Sequence, residues 1–299
     1  MAIEIRQVTS DDVDSCVAIF FEAFNDLHEK YHYPAEDPDD NAWLKEAIAH
    51  FLSTDPESSL IAFEGGAPAA FACAYRRESF WFLSFLFVRP GAQSKGLGRT
   101  LLERVLPPKG ERDSLTLATV VESFQSVSTG LYASYGIAPR VPRYRLSGLR
   151  PAKPLPGLPD GWETTSISAY DIDDMSDLDR RLLGYARPQE HEAWLSDPVR
   201  GFAYRKGGRL EGYAYLESDG IGPVASGDEE TTVRIVGHLV SLLDEPGKVG
   251  VSVFGWSAKV LRVLLEAGMR MDPASYPFVY CSTDPRVTPS YLPFAGYLP

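Results

Sequence analysis

Few cysteines, a deficit of cations and the lack of any long apolar run set the first limits on this 299-residue chain. Its three cysteines, Cys16, Cys73 and Cys281, are too few for a disulfide framework and have no metal-ligand spacing with one another. Lys and Arg number 29 against 41 Asp and Glu, a formal charge of −12. Phosphate backbones need clustered cations, so this balance argues against a nucleic-acid-binding face. It is compatible with a cationic small substrate. No run reaches the ~18 apolar residues of a membrane span. The start, MAIEIRQVTSDD, lacks the basic segment and apolar stretch of a secretory signal. A cytoplasmic protein that engages neither membrane nor nucleic acid is the expectation.

Apolar material is plentiful. Hydrophobic residues make up 44% of the chain and aromatics 12%, enough for two cores at roughly 100–200 residues per domain. Ile3–Val8 reads as a strand, and Thr9 with Asp12 as a capping box that opens a helix carrying Val13, Cys16, Val17, Phe20, Phe21 and Phe24. Trp43, Leu44, Ala47, Ile48, Phe51 and Leu52 line one face of a second helix. Strands Ser59–Phe63 and Ala69–Tyr75 flank the hairpin signal Gly65-Gly66. Phe80–Val88 (FWFLSFLFV) is the continuous apolar run of a strand covered on both faces. A helix over Gly98–Leu106, a strand over Ser114–Val121, a helix over Phe124–Tyr135 and a strand over Val141–Leu149 complete the first half.

Arg150–Gly161, RPAKPLPGLPDG, holds four prolines and predicts an extended, semi-rigid spacer. Beyond it the order of signals repeats. Gly207-Gly208 follows Gly65-Gly66 by 142 residues, Val224 follows Val88 by 136, and Gly268 follows Gly136 by 132. A period this long means duplicated domains. In the second half, Gly220–Val224 (GIGPV) stands where the central strand belongs, although Pro223 cannot donate to a ladder.

The segment that carries chemistry is Phe85–Leu102, FLFVRPGAQSKGLGRTLL. A strand ends at Val88, and Gln93-Ser94-Lys95-Gly96-Leu97-Gly98 opens a helix. Amides at a helix start have no intrahelical partner and point along the positive end of the dipole. Glycine lets a phosphate approach that backbone. The segment is neither a Rossmann fingerprint nor a P-loop, since only Gly96 and Gly98 are present and no Gly-Lys-Ser/Thr follows. After the next strand comes Leu131-Tyr132-Ala133-Ser134-Tyr135-Gly136-Ile137.

This order, QxxGxG, strand, then LYxxxGI near a helix end, resembles the GNAT superfamily of acyl-CoA-dependent N-acyltransferases over Ile3–Leu149. Ile137 stands where that family more often has phenylalanine. The resemblance implies an α/β (α+β) fold of two GNAT-like domains, each a mixed, mostly antiparallel sheet flanked by helices. Residues 1–150 would be the domain with the CoA site, 151–160 a proline-rich linker, and 161–299 a degenerate second copy. Acetyl-CoA would be the cosubstrate, with no metal. Gln93, Ser94, Lys95, Gly96, Leu97 and Gly98 would present amides to its pyrophosphate, and the backbone of Leu86, Phe87 and Val88 would bond the pantetheine arm at a splay between two strands. Gln125 stands where the family often has an asparagine that touches the cofactor. Tyr132 would protonate the departing thiolate, and an amide near Val88 would stabilise the oxyanion.

The general base is less visible. Ser84 is all that Phe80–Val88 offers, and Glu122 is the nearest carboxylate on the following strand; proton loss through water is the alternative. Glu22, Asp26, His28, Glu29, Tyr31, His32 and Tyr33 form a candidate acceptor mouth, for which a solvated helix end is an equal reading. His28 and His32 stand at i, i+4, the spacing of one helical face, but have no third ligand nearby.

The second half lacks the apparatus. Aligning Gly136 with Gly268 puts Leu264 opposite Tyr132, and ASGDEETTV replaces the loop with Asp228, Glu229 and Glu230. Like charge there repels pyrophosphate. That half is expected to complete the acceptor cleft, pack on the first domain or mediate contact in a homodimer, and the tail Tyr291–Pro299 to dock on a neighbouring domain or stay disordered. The leading reading is transfer of an acetyl group to a primary amine of a small molecule or a protein. The alternatives are a non-catalytic acyl-CoA sensor and a structural, partner-binding tandem.

Overall fold

The computed structural model describes residues 2–149, 153–195, 199–217, 220–243, 248–272, 278–284, 286 and 288–293. The chain packs as two compact units, Met1–Arg76 with Trp81–Ala118, and Arg77–Phe80 with Thr119–Pro299.

In the first unit, β1 (Ile3–Gln7) leads through a turn to α1 (Val13–Lys30) and α2 (Ala42–Thr54). The predicted capping box is present: Thr9 N and Oγ1 both donate to Asp12 Oδ2, at 2.8 and 2.7 Å. The Arg6 guanidinium grips the same carboxylate at 2.6 and 2.7 Å. Strands β2 (Ser59–Glu64), β3 (Ala67–Arg77) and β4 (Phe80–Val88) follow, and the order is β1-β2-β3-β4. The pairs β1–β2 and β2–β3 are antiparallel. β3 buries Ala69 to Tyr75 without interruption. The four alanines of that stretch leave room for rings from neighbouring elements: Phe71 stacks on Phe87 at 5.9 Å, and Phe87 meets Phe20 of α1 at 4.6 Å. α3 (Leu97–Val105) then buries Leu97, Leu101, Leu102 and Val105.

β4 runs over the predicted residues, with one correction. Burial of both faces holds from Phe80 to Leu83, whereas Leu86, Phe87 and Val88 are only half-buried. The end of the strand is open.

β5 (Thr116–Glu122) starts in the first unit and finishes in the second. The second unit continues with α4 (Ser126–Ala133), β6 (Ala138–Leu149), β7 (Trp162–Ser166), α5 (Ile172–Leu182), α6 (Pro188–Trp194), β8 (Arg200–Lys206), β9 (Arg209–Leu216), β10 (Gly220–Ser226), α7 (Glu229–Ser241), β11 (Lys248–Phe254), α8 (Ala258–Glu266), β12 (Arg270–Met271), β13 (Phe278–Ser282) and β14 (Tyr291–Leu292). From β7 on, the elements repeat the order of the first half, down to a second capping box at Ser168 and Asp171. The strand order is β5-β13-β6-β11-β10-β9-β8-β7. β6, which precedes the proline-rich stretch, pairs antiparallel with β13 on one edge and β11 on the other.

GIGPV is a strand. β10 absorbs Pro223 with a register shift between Ile221 and Val224, so no ladder bond is asked of the proline. Of the proline-rich stretch, residues 150–152 lie outside the described residues. Its remainder forms neither helix nor strand before Trp162, and Leu155 and Leu158 pack on the apolar core of the second unit. Residues 294–299 of the tail lie outside the described residues too. Among the described residues no helix is long and apolar enough to cross a membrane.

Candidate active site

The loop before α3 is built to accept an anion. Gly96 is the N-cap with φ +81° and ψ 2°, and Ser94 also has a positive φ of 64°. These left-handed residues turn successive amides toward one side. A Cβ placed on Gly96 meets nothing within 4 Å, and one on Gly98 reaches only Val88 Cγ2 at 3.5 Å. The first turn of α3 carries no acidic residue. Gln93 Nε2 donates to Val88 O at 3.0 Å and ties the loop to the open end of β4. Lys95 Nζ bridges both oxygens of Glu64 at 3.0 Å, so its charge is engaged on the protein. An open helix start with no acidic residue in its own first turn, and with the Glu64 carboxylate neutralised by Lys95, fits a pyrophosphate. The first unit thus brings together Leu86, Phe87 and Val88 with Gln93, Ser94, Lys95, Gly96, Leu97 and Gly98.

Tyr132, Gln125 and Glu122 belong to the second unit. Gln125 is the N-cap of α4; its amide donates to Glu122 O at 2.9 Å and its carbonyl accepts from Thr129 Oγ1 at 2.8 Å. Tyr132 is 5% exposed. Burial above all, and then the Glu122 carboxylate, push its phenol well above the ordinary range, while Ser128 opposes the shift. Glu122 is half-buried at the end of β5, and desolvation raises its carboxyl. The pair therefore consists of a firmly protonated donor and a carboxyl with raised proton affinity.

The candidate acceptor residues divide. Glu22 pairs with Arg89 at 3.1 Å, and Asp26 with Lys30 at 2.5 Å. His28 is buried, and its Nδ1 donates to Pro34 O at 2.6 Å. His32 lies two residues past the end of α1 with φ 60°, so the expectation that His28 and His32 share a helical face is corrected. Among the described residues no group of three or more His, Cys, Asp or Glu is placed to hold a metal ion.

The corresponding places of the second half are built differently. The two LYxxxG-type helix ends superimpose in their bonding: Ile137 N donates to Tyr132 O, and Met269 N to Leu264 O, each at 3.1 Å. Leu264 is fully buried and apolar where Tyr132 has its hydroxyl. At the start of α7, Asp228 Oδ1 accepts from Thr231 N at 2.9 Å, so the helix satisfies its own amides. Glu229 Oε1 reaches across to accept from Lys259 N at 2.8 Å and Val260 N at 3.3 Å, capping α8. Carboxylates of the chain hold both helix starts.

A buried polar cluster in the second unit escaped sequence reasoning. Asp179 accepts from Arg187 Nε at 2.9 Å, Tyr213 OH at 2.5 Å and His191 Nε2 at 3.0 Å. Polar residues in an amphipathic stretch read as a solvent face, and the only hint was the aromatic density of β9 (RLEGYAYL). Glu190, beside it, grips Arg77 Nη2 at 2.5 Å, with both side chains almost fully buried.

Residues 19–137 match the sequence model of the Acetyltransferase (GNAT) family. No curated protein matches the chain. Among solved structures, a candidate acetyltransferase from Pyrococcus horikoshii matches with a TM-score of 0.75 at 17% identity, over 99% of this chain and 95% of that one. A GCN5-related N-acetyltransferase from Sphaerobacter thermophilus matches at 0.61 and 16%, over 95% and 96%. A tandem GNAT protein from the clavulanic acid biosynthesis pathway matches at 0.56 and 16%, over 96% and 100%. At such identities the likeness is one of fold, and that fold is two GNAT-like domains in one chain.

Proposed function

We propose, from the match of residues 19–137 to the GNAT family model, that the protein is an acyl-CoA-dependent N-acyltransferase. It moves an acetyl group from acetyl-CoA to a primary amine. The observation that carries this reading is the contrast between the copies. One helix start is open and free of acid in its first turn, and its counterpart is capped by Asp228.

When bound, acetyl-CoA supplies the activated thioester. Gln93 to Gly98 hold the pyrophosphate through backbone amides. Leu86 to Val88, half-buried at the strand end, offer main-chain groups to the pantetheine arm. Glu122 takes the proton that the attacking amine loses, directly or through water, because a carboxyl with raised proton affinity is the better base near neutral pH. Tyr132 gives its proton to the departing sulfur. Its phenol stays protonated across the working range because burial opposes the phenolate.

The test is thiol release and product formation by the purified protein with acetyl-CoA and a panel of polyamines, aminoglycosides, amino acids and peptides. Acetylated amine and free CoA in equal amounts support the reading. Tight CoA binding without transfer to any acceptor favours a sensor.

A further inference from the structure

The second copy is closed by more than its carboxylates. β10 and β11 pair in parallel at Gly220↔Gly250 and Ile221↔Val251. Farther along, Val224 and Ala225 pair with Ala214 and Tyr213 of β9 on one edge. On the other edge the same two residues pair antiparallel with Leu292 and Tyr291 of β14. A strand has only two edges, so β14 sits on the edge that β10 otherwise shares with β11. The two strands splay, and the chain's own segment fills the gap.

That segment is held at every position. Ser290 O accepts from Ser226 N at 3.3 Å and from Thr232 Oγ1, in the first turn of α7, at 2.9 Å. Tyr291 OH accepts from Arg187 Nη1 at 2.7 Å. Leu292 is fully buried among Val224, Val233, Val251 and Leu264. In consequence Val224, Ala225 and Ser226 are fully buried, whereas Leu86, Phe87 and Val88 at the corresponding strand end of the first copy are half-buried.

We propose that Ser290–Leu292 is an internal ligand of the second copy, lodged as an extended polyamide in the strand gap that corresponds to the pantetheine site of the first. The inference rests on the acyl-CoA reading for the identity of the missing guest. Pantetheine is itself an extended diamide, so a short peptide strand supplies the same alternation of donors and acceptors along β10. The second copy then needs no cofactor to complete its sheet, and Thr232 and Arg187 are the latch.

The test is hydrogen exchange read by mass spectrometry on the full chain, with and without millimolar pantetheine. This probe lacks phosphates, so Asp228 does not repel it. In the wild type, amides 224–226 are expected to be protected and indifferent to pantetheine. In Leu292→Gly their exchange should rise roughly tenfold or more, and pantetheine should restore protection. Thr232→Val, which removes one latch bond without opening the core, should give a smaller rise in the same peptide and keeps the test valid if Leu292→Gly does not fold. Unchanged exchange in both variants, or an opened gap that pantetheine does not protect again, would overturn the proposal. Absence of pantetheine protection at residues 86–88 of the wild type counts instead against the acyl-CoA reading of the first copy.

Discussion

The Glu122 carboxylate lies close enough to Tyr132 to add to the proton affinity that burial already gives the phenol. One element ends in a carboxyl and the next carries a hydroxyl: the carboxylate adds to what burial does to the phenol, and desolvation alone raises the carboxyl. A base and an acid with separated proton affinities is the arrangement that the proposed acyl transfer to an amine calls for.

Tyr132→Phe keeps the ring and its packing and removes the proton donor. Turnover at saturating cofactor should fall by about 10²–10⁴-fold, with CoA affinity little changed because the hydroxyl acts as charge grows on sulfur. Leu264→Met, at the matching place in the second copy, should leave turnover untouched. Full activity in Tyr132→Phe would remove the acid assignment.

Glu122 predicts a pH signature. Its raised proton affinity means that the base form appears only above the ordinary carboxylate value of about 4.3, so kcat/KM should rise through an acidic limb displaced upward from there. Glu122→Gln should abolish that limb. The stability sign is also set. A raised folded value favours the protein at low pH and costs stability as the group ionises, so Glu122→Gln should be neutral or stabilising at alkaline pH. A limb that persists in the variant would assign the base elsewhere.

Gly96 joins two demands in one residue. Its φ of +81° costs an ordinary L-residue about 1–2 kcal/mol, and its open side would be filled by a side chain. Gly96→Val should weaken CoA binding sharply while thermal unfolding shifts by only a few degrees. An unchanged dissociation constant would mean that the loop is not the phosphate cradle.

Arg77 and Glu190 form a buried pair at 2.5 Å. Arg77→Met takes the bidentate cation from the buried Glu190 carboxylate inside the second unit, and should cost about 3–5 kcal/mol in denaturant unfolding. Arg77→Met with Glu190→Leu should recover much of that loss. Additive losses in the double variant would show that the pair does not act as one.

Local pattern made much of this legible. The apolar run Phe80–Val88, the glycine-pair hairpins and the Thr9–Asp12 cap are each written in neighbouring residues, and each forms where the pattern puts it. The positions of Gly96 at a helix start and Tyr132 near a helix end are legible for the same reason, being set by turn and helix-end chemistry. Periodicity says nothing about which strands pair across a long separation. The seating of β6 between β11 and β13, and of β14 against β10, therefore lay beyond it. Asp179 and His191 were hidden by a related fact: a polar residue in an amphipathic helix looks solvated until its partners Arg187 and Tyr213 are brought in from afar.

One working cofactor site beside one retired copy sets a stoichiometry, which isothermal calorimetry of CoA into the full chain measures. One site per chain is predicted, weakened in Gly96→Val and unchanged in Asp228→Asn. Two equivalent sites, or none, would contradict it.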